Sequence, residues 1–205
     1  MNSIINEKKF IAERTGIPYS NLSQSYLRSE VALTSLSQYQ FQLQRNSVQT
    51  PRACERLLQL NDEFVITHLF IGLNKPASAS VADQLQAQVY TYPDQNGAVF
   101  AGVDEALYNS SFSLTINRKE FLPNFPLRYF RRVPDQQSGL NATGGATNKN
   151  AFPNGLYGFA PFEPVKIDGR QTIEAIINLN GSVTFTTGAF AILEVRGYLV
   201  VNAKS

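Results

Sequence analysis

At 205 residues the chain is long enough to bury a core as one domain of moderate size, with or without a terminal arm, and too short for two full domains. Charged residues make up 17%, below the usual level of about a quarter, and Asn, Gln, Ser and Thr take their place, which points to a surface that meets other protein. A net charge of +2 without a Lys/Arg cluster longer than Arg131–Arg132 argues against bulk nucleic-acid binding, and the single cysteine, Cys54, excludes an internal disulfide and a multi-cysteine metal site.

The N-terminal stretch MNSIINEKKFIAERTGIP has charges inside its only apolar turn and is not expected to act as a secretory signal. No window has the apolar length of a membrane span. Four Asn-x-Ser/Thr sequons, at Asn21, Asn109, Asn141 and Asn180, then read as coincidences of an Asn/Ser-rich chain. From Ile4 to Leu36 the apolar residues fall three to four apart, which predicts two short helical pieces parted at Gly16–Pro18, with Ser20 and Ser23 as caps for the second. Residues 1–36 are therefore expected to be a partly helical arm whose thin apolar stripes must pack on something larger.

From Ser37 the period changes to two. QYQFQLQ puts Tyr39, Phe41 and Leu43 on one face and glutamines on the other, as a strand with one dry face requires. The run from Arg56 to Pro76 has apolar residues on both faces around Phe64–Ile71 and is expected to be a central strand. Further strands are expected at LQAQVYTY (85–92), SFSLTIN (111–117), VKID (165–168), TIEAIINL (172–179), SVTFTT (182–187) and AILEVRGYLVVN (191–202). Asn180–Gly181 predicts a two-residue hairpin turn between the fourth and fifth of these, because that dipeptide accepts positive φ. The chain thus reads as mainly β, an antiparallel sandwich or barrel of about eight strands over residues 37–205, since open strands in that number would leave long edges.

Two long segments at about 119–164 read as irregular loops. FLPNFPLRYFRRVPDQQSG is held extended by Pro123, Pro126 and Pro134 and carries Phe121, Phe125, Tyr129 and Phe130. The glycine-rich, nearly uncharged stretch from Leu140 to Pro164 adds Phe152, Tyr157, Phe159 and Phe162. Loops of that length usually do something. Their rings either roof one end of the sandwich or form faces shared with neighbouring subunits. The residues expected to touch other subunits are Phe10, Ile11, Tyr26, Leu27, Phe125, Arg128, Tyr129, Phe130, Arg131, Phe152, Tyr157 and Phe159, with the arginines paired to acids across the contact.

No pattern in the sequence specifies a reaction. His68, the only histidine, lies inside an apolar strand, where a hydrogen-bonded strand residue is the simple reading and where it has no Cys/His partners for a metal. There is no Gly-x-Ser-x-Gly elbow for a triad. ATGGATNK has the glycines of a phosphate loop but leads into NAFPNG and not into a helix. A carboxylate pair remains open among Asp62, Glu63, Asp104, Glu105, Glu174 and Glu194, with Glu194 and Arg196 placed to pair on one strand face. The expectation is a protein that is not an enzyme and needs no cofactor.

An N-terminal arm, about eight strands with long loops between some of them, and a last strand AILEVRGYLVVNA close to the terminus resemble a viral jelly-roll capsid subunit, in plan, over Ser37 to Asn202. The resemblance implies a structural subunit of a virus particle, a bacteriophage above all, serving as shell, vertex or decoration protein. It implies identical subunits and other virion proteins as partners, synthesis in the host cytoplasm without a signal peptide, and residence in the virion. On this reading the arm and the uncharged segment are ordered by adjacent copies. The alternative is a β-sandwich that recognises a glycan or receptor, as in a fibre or spike, through Tyr92, Tyr108, Tyr129 and Tyr157. A carboxylate-based glycoside hydrolase is the third reading.

Overall fold

A computed structural model describes residues 2–45, 51–93, 99–131 and 159–203, with residues 2–4 as backbone. The chain opens with helix α1 (Asn2–Thr15), ended by Gly16 at a φ of 70°. Nine strands follow: β1 (Ser23–Ala32), β2 (Gln38–Phe41), β3 (Glu63–Asn74), β4 (Val89–Tyr90), β5 (Ser111–Ile116), β6 (Lys119–Pro126), β7 (Ala160–Asp168), β8 (Ile173–Asn178) and β9 (Phe190–Val200). A short helix, α2 (Val81–Gln86), lies between β3 and β4.

The strands pair as a rolled-up hairpin. β1 pairs with β9, β2 with β8, β3 with β7 and β5 with β6, all antiparallel, so the first and last strands meet and the middle of the chain forms the bend. β9 also pairs with β3, and β8 with β5, which divides the roll into two sheets. One sheet runs β1-β9-β3-β7, with β4 beside Leu73–Asn74 farther along the same edge as β7, and the other runs β2-β8-β5-β6. That order is the jelly roll, and the two sheets face each other as a sandwich, without closing into a barrel.

The core lies between the sheets because each strand turns one alternate set of side chains inward. Phe64, Ile66, Ile71, Leu193 and Val195 from one sheet meet Tyr39, Phe41, Phe112, Leu114 and Ile177 from the other, all almost fully buried. Tyr39 also satisfies the chain connecting β1 to β2, since its hydroxyl accepts hydrogen bonds from the amides of Thr34 (3.2 Å) and Leu36 (3.1 Å). β3 is buried along nearly its whole length, as its two apolar faces predict. A bulge at Ile66–His68 lets β9 cross it closely, and a Cβ at Gly197 would collide with the Val65 carbonyl oxygen.

Several elements differ from the sequence reading. The second helical piece of the arm is β1. Leu27, Ser29 and Val31 point into the sandwich, and the outward Arg28 and Glu30 are covered, so the period of two is hidden behind a charged pair. In LQAQVYTY only Val89–Tyr90 is strand, because Ser80 caps a helix just before it by accepting the Asp83 amide (3.1 Å). The Asn180–Gly181 hairpin is absent. β8 and β9 belong to different sheets, residues 179–189 cross between them as Phe185 packs edge-on against Tyr39, and the positive φ belongs to Gly188. SVTFTT is not a strand.

A tight two-residue turn with positive φ does occur at Asn117–Arg118, with φ of 49° and 67°, joining β5 to β6. β6 itself occupies a stretch expected to be irregular. It is an edge strand with register breaks, the place where Pro123 and Pro126 cost no ladder bonds. Residues 140–158 of the uncharged segment lie outside the described residues, and its remaining part enters β7.

Candidate functional site

The roll sends its connections alternately to two ends. One end receives the short β5–β6 turn, the β7–β8 turn and part of the long segment between β2 and β3. They are tied by Gln44 donating to the Asp168 carbonyl (3.0 Å), by Asn117 and Thr172 exchanging bonds, and by Arg170 on Asn61 (2.7 Å). A polar cleft of about 360 Å³ lies there among Thr115, Asn117, Arg118, Thr172 and Glu174.

The other end receives the connections 33–37 and 179–189, the described residues 75–93 and 99–110 between β3 and β5, and residues 127–131 after β6. A rigid sandwich that offers its loops on one side is the usual setting for recognition. Asp104 is fully buried there and accepts the amides of Ala101 (2.8 Å) and Thr186 (2.9 Å), together with the Thr186 hydroxyl, which joins the β3–β5 connection to the β8–β9 connection. Glu105 pairs with Arg131, and Asn109 accepts from Arg128 (3.3 Å), which joins the same connection to the turn after β6. Leu127 donates to the Ser110 carbonyl (3.0 Å).

On this frame Phe125, Tyr129 and Phe130 form a ring cluster, with centroids 5.4 to 6.1 Å apart in tilted and edge-on pairs. Phe130 is buried beneath it and Tyr129 is 48% exposed. Beside the cluster a cleft of about 560 Å³ opens between Tyr108, Asn109, Ser110, Pro126, Arg128 and Tyr129. Tyr108 forms a buried wall. Its hydroxyl donates to the Tyr90 carbonyl (3.2 Å), and burial, reinforced by the Glu105 charge and opposed by Arg131, pushes its ionisation up.

The structure therefore brings Phe125, Arg128, Tyr129, Phe130 and Arg131 to one place, as four of the expected contact residues around a buried fifth. Arg131 takes its acid within its own chain. Phe10 and Tyr26 are exposed, at 50% and 41%. Ile11, Leu27 and Phe130 are corrected to interior residues, since each is at least 98% buried in its own chain and offers nothing to a neighbour. Phe159 stacks on Phe70 (5.1 Å) under the Arg196 guanidinium (3.8 Å), against its own sheet. Phe152 and Tyr157 lie outside the described residues.

The leading segment also finds its support at home. Ile11, Ile17 and Leu22 pack on Val65, Tyr198 and Val200 of the outer face of the larger sheet, and Arg14 pairs with Glu163. This overturns the expectation that only adjacent copies order the arm. On the opposite flank of the molecule, the outer face of the smaller sheet carries Gln38, Gln40, Ser111, Ser113, Thr115, Ile176 and Asn178, with Glu174 its charged residue on β2, β5 and β8.

His68 sits at the β3 bulge, with Nδ1 2.9 Å from the Thr67 hydroxyl. Among the described residues no group of three His, Cys, Asp or Glu side chains is placed to hold a metal. Of the six candidate carboxylates, Glu63 pairs with Lys166 (3.5 Å), Glu105 with Arg131 and Glu194 with Arg196 (3.2 Å), while Asp62 and Asp104 accept backbone amides. Glu174 lines the smaller cleft at the far end. Cys54 donates to the Gln84 carbonyl (2.9 Å), and burial pushes its thiol up, away from nucleophile chemistry.

The sequence reading missed a buried ionic cluster. The Glu30 carboxylate, with no exposed surface, accepts from Arg28 (2.6 Å) and Asn74 (3.3 Å) and lies 2.9 Å from Arg52, whose guanidinium covers the Phe190 ring at 3.6 Å. The signal available was the alternation Leu27, Ser29, Val31 against Arg28 and Glu30. Compared with known proteins, the chain matches no family model, no curated protein and no solved structure.

Proposed function

We propose that the chain is a structural subunit of a virus particle, a shell, vertex or decoration protein that associates with identical copies. The observation that carries this reading is the rolled strand order, β1-β9-β3-β7 over β2-β8-β5-β6, with a helix ahead of it and the connections 33–37, 99–110 and 179–189 gathered at one end. The fold is an analogy and not a function, since jelly rolls serve many purposes. Surface chemistry adds to it. The outer face of the smaller sheet is built mainly of amides and hydroxyls, with Glu174 and Ile176 among them, and so little like charge lets copies approach without accumulating repulsion. α1 shows Ile5 and Phe10 outward from its docked side, and the loop end shows Tyr129. Phe10→Glu combined with Tyr129→Glu is expected to lower the mass measured by light scattering, with the circular dichroism spectrum unchanged. An unaltered assembly in that variant counts against these two faces as adhesive.

The cleft beside the ring cluster favours a second reading, recognition of a glycan or receptor at the loop end. It gathers Tyr108 and Tyr129, two of the four tyrosines expected to do this, around polar side chains.

A further inference from the structure

We infer that the loop-end cleft is a saccharide site that selects a carboxylated sugar. The inference rests on the recognition reading and names its ligand class. The cleft, about 560 Å³, falls within the range of roughly 300 to 1,000 Å³ usual for small-molecule sites. Its floor is fixed before any ligand arrives, because Tyr108 and Ser110 are buried, Tyr108 is bonded to the Tyr90 carbonyl, and the Ser110 carbonyl holds the Leu127 amide. Preorganisation of that kind lowers the ordering cost of binding.

Two features on that floor determine the ligand. The Tyr129 ring, half exposed beside Pro126, offers an apolar face of the sort on which the C–H face of a sugar ring rests. The Arg128 guanidinium is exposed and donates to the Asn109 amide oxygen at 3.3 Å, a long bond to a neutral acceptor. Its neighbour Arg131 is already taken by Glu105. A planar guanidinium held, among the described residues, by an amide alone retains the fork that grips a carboxylate with two parallel bonds. Asn109 has its amide hydrogens left for sugar hydroxyls, and the Ser110 hydroxyl, which donates to the Leu107 carbonyl, keeps its lone pairs to accept. Aromatic face, fork and amide together fit a uronic or sialic acid better than a neutral sugar.

The test is amide NMR of the full chain, uniformly labelled with nitrogen-15, titrated with methyl β-glucuronide and with the methyl glycoside of N-acetylneuraminic acid. The methyl ester of the glucuronide and methyl β-glucoside serve as neutral comparators. The expected result is shifts at Asn109, Ser110, Arg128 and Tyr129 with at least one acidic sugar, and affinity weaker by about tenfold or more for the neutral comparators and for Arg128→Gln. Tyr129→Ala is expected to weaken acidic and neutral sugars alike. Equal binding of acidic and neutral sugars, or an Arg128→Gln variant that binds as before, overturns the acid selectivity and leaves recognition standing. The absence of shifts with all four sugars overturns both.

Discussion

Glu30 is the residue on which one corner of the molecule turns. It points outward from the larger sheet, yet its carboxylate is sealed from water beneath Arg52 and beside Arg28 and Asn74. Removing one member of a buried charge cluster leaves the others uncompensated, so Glu30→Ala is expected to cost about 3 to 5 kcal/mol. Urea denaturation measures this, and a loss below about 1 kcal/mol would show the cluster to be no better than a surface pair. Tyr198 gives a prediction in pH. Burial, then the Glu7 charge, then Tyr19 and a hydrogen bond to Glu7, push its phenol from the usual value of about 10 up to about 12. As pH rises past about 10 the unfolded chain releases a proton that the folded chain keeps, so stability from this group is whole below pH 10 and lost toward pH 12. Tyr198→Phe should flatten the fall in urea midpoint between about pH 9 and about pH 11.5, and parallel curves for the two proteins would remove Tyr198 as the cause.

Helix α1 is attached to the sandwich through a small cluster of its own. Among the described side chains of the helix, Ile11 is the fully buried one, seated with Ile17 and Leu22 against Val65, Tyr198 and Val200, and the sandwich core lies elsewhere. Ile11→Asp is therefore expected to free residues 2–15 to rapid amide exchange while β3 and β9 stay protected; loss of protection throughout would mean that the helix supports the sandwich as a whole. A contrast between strong and thin signals decides what was legible in the sequence. β2, β3, β5, β8 and β9 were readable because dry faces force a period of two, or apolar residues on both sides. β1 was hidden by an outward pair of charges that the fold buries, and β6 by prolines that only an edge strand tolerates. Asn180–Gly181 carried the strongest local turn signal, but the roll sends β8 and β9 to different sheets, and topology overrode it. The clustering of Phe125 to Arg131 was visible as a run of rings and arginines. Its meeting with Tyr108, Asn109 and Ser110 was not, because it depends on the β5–β6 hairpin, which pairs Ser111 with Pro126, and β6 read as an irregular loop.

At the scale of the whole molecule the chain is a two-sheet roll with one flank covered and the other, among the described residues, bare. The larger sheet is roofed by α1 at one end, by Phe159 and Arg196 in its middle and by the Arg52 segment at the other, whereas the smaller sheet presents amides and hydroxyls to the surroundings. The loop end adds an exposed tyrosine and a ready cleft. A subunit that assembles would use the outer face of the smaller sheet, the loop end and the outward side of α1, whose inner side already has a seat on its own sheet. Specific interfaces between copies remove roughly 1,200 to 2,000 Å² from water. Native mass spectrometry of the full chain, taken across a range of concentrations, tests self-association most directly. A discrete multimer, trimer, pentamer or larger, is the predicted result, and a monomer at every concentration would contradict it.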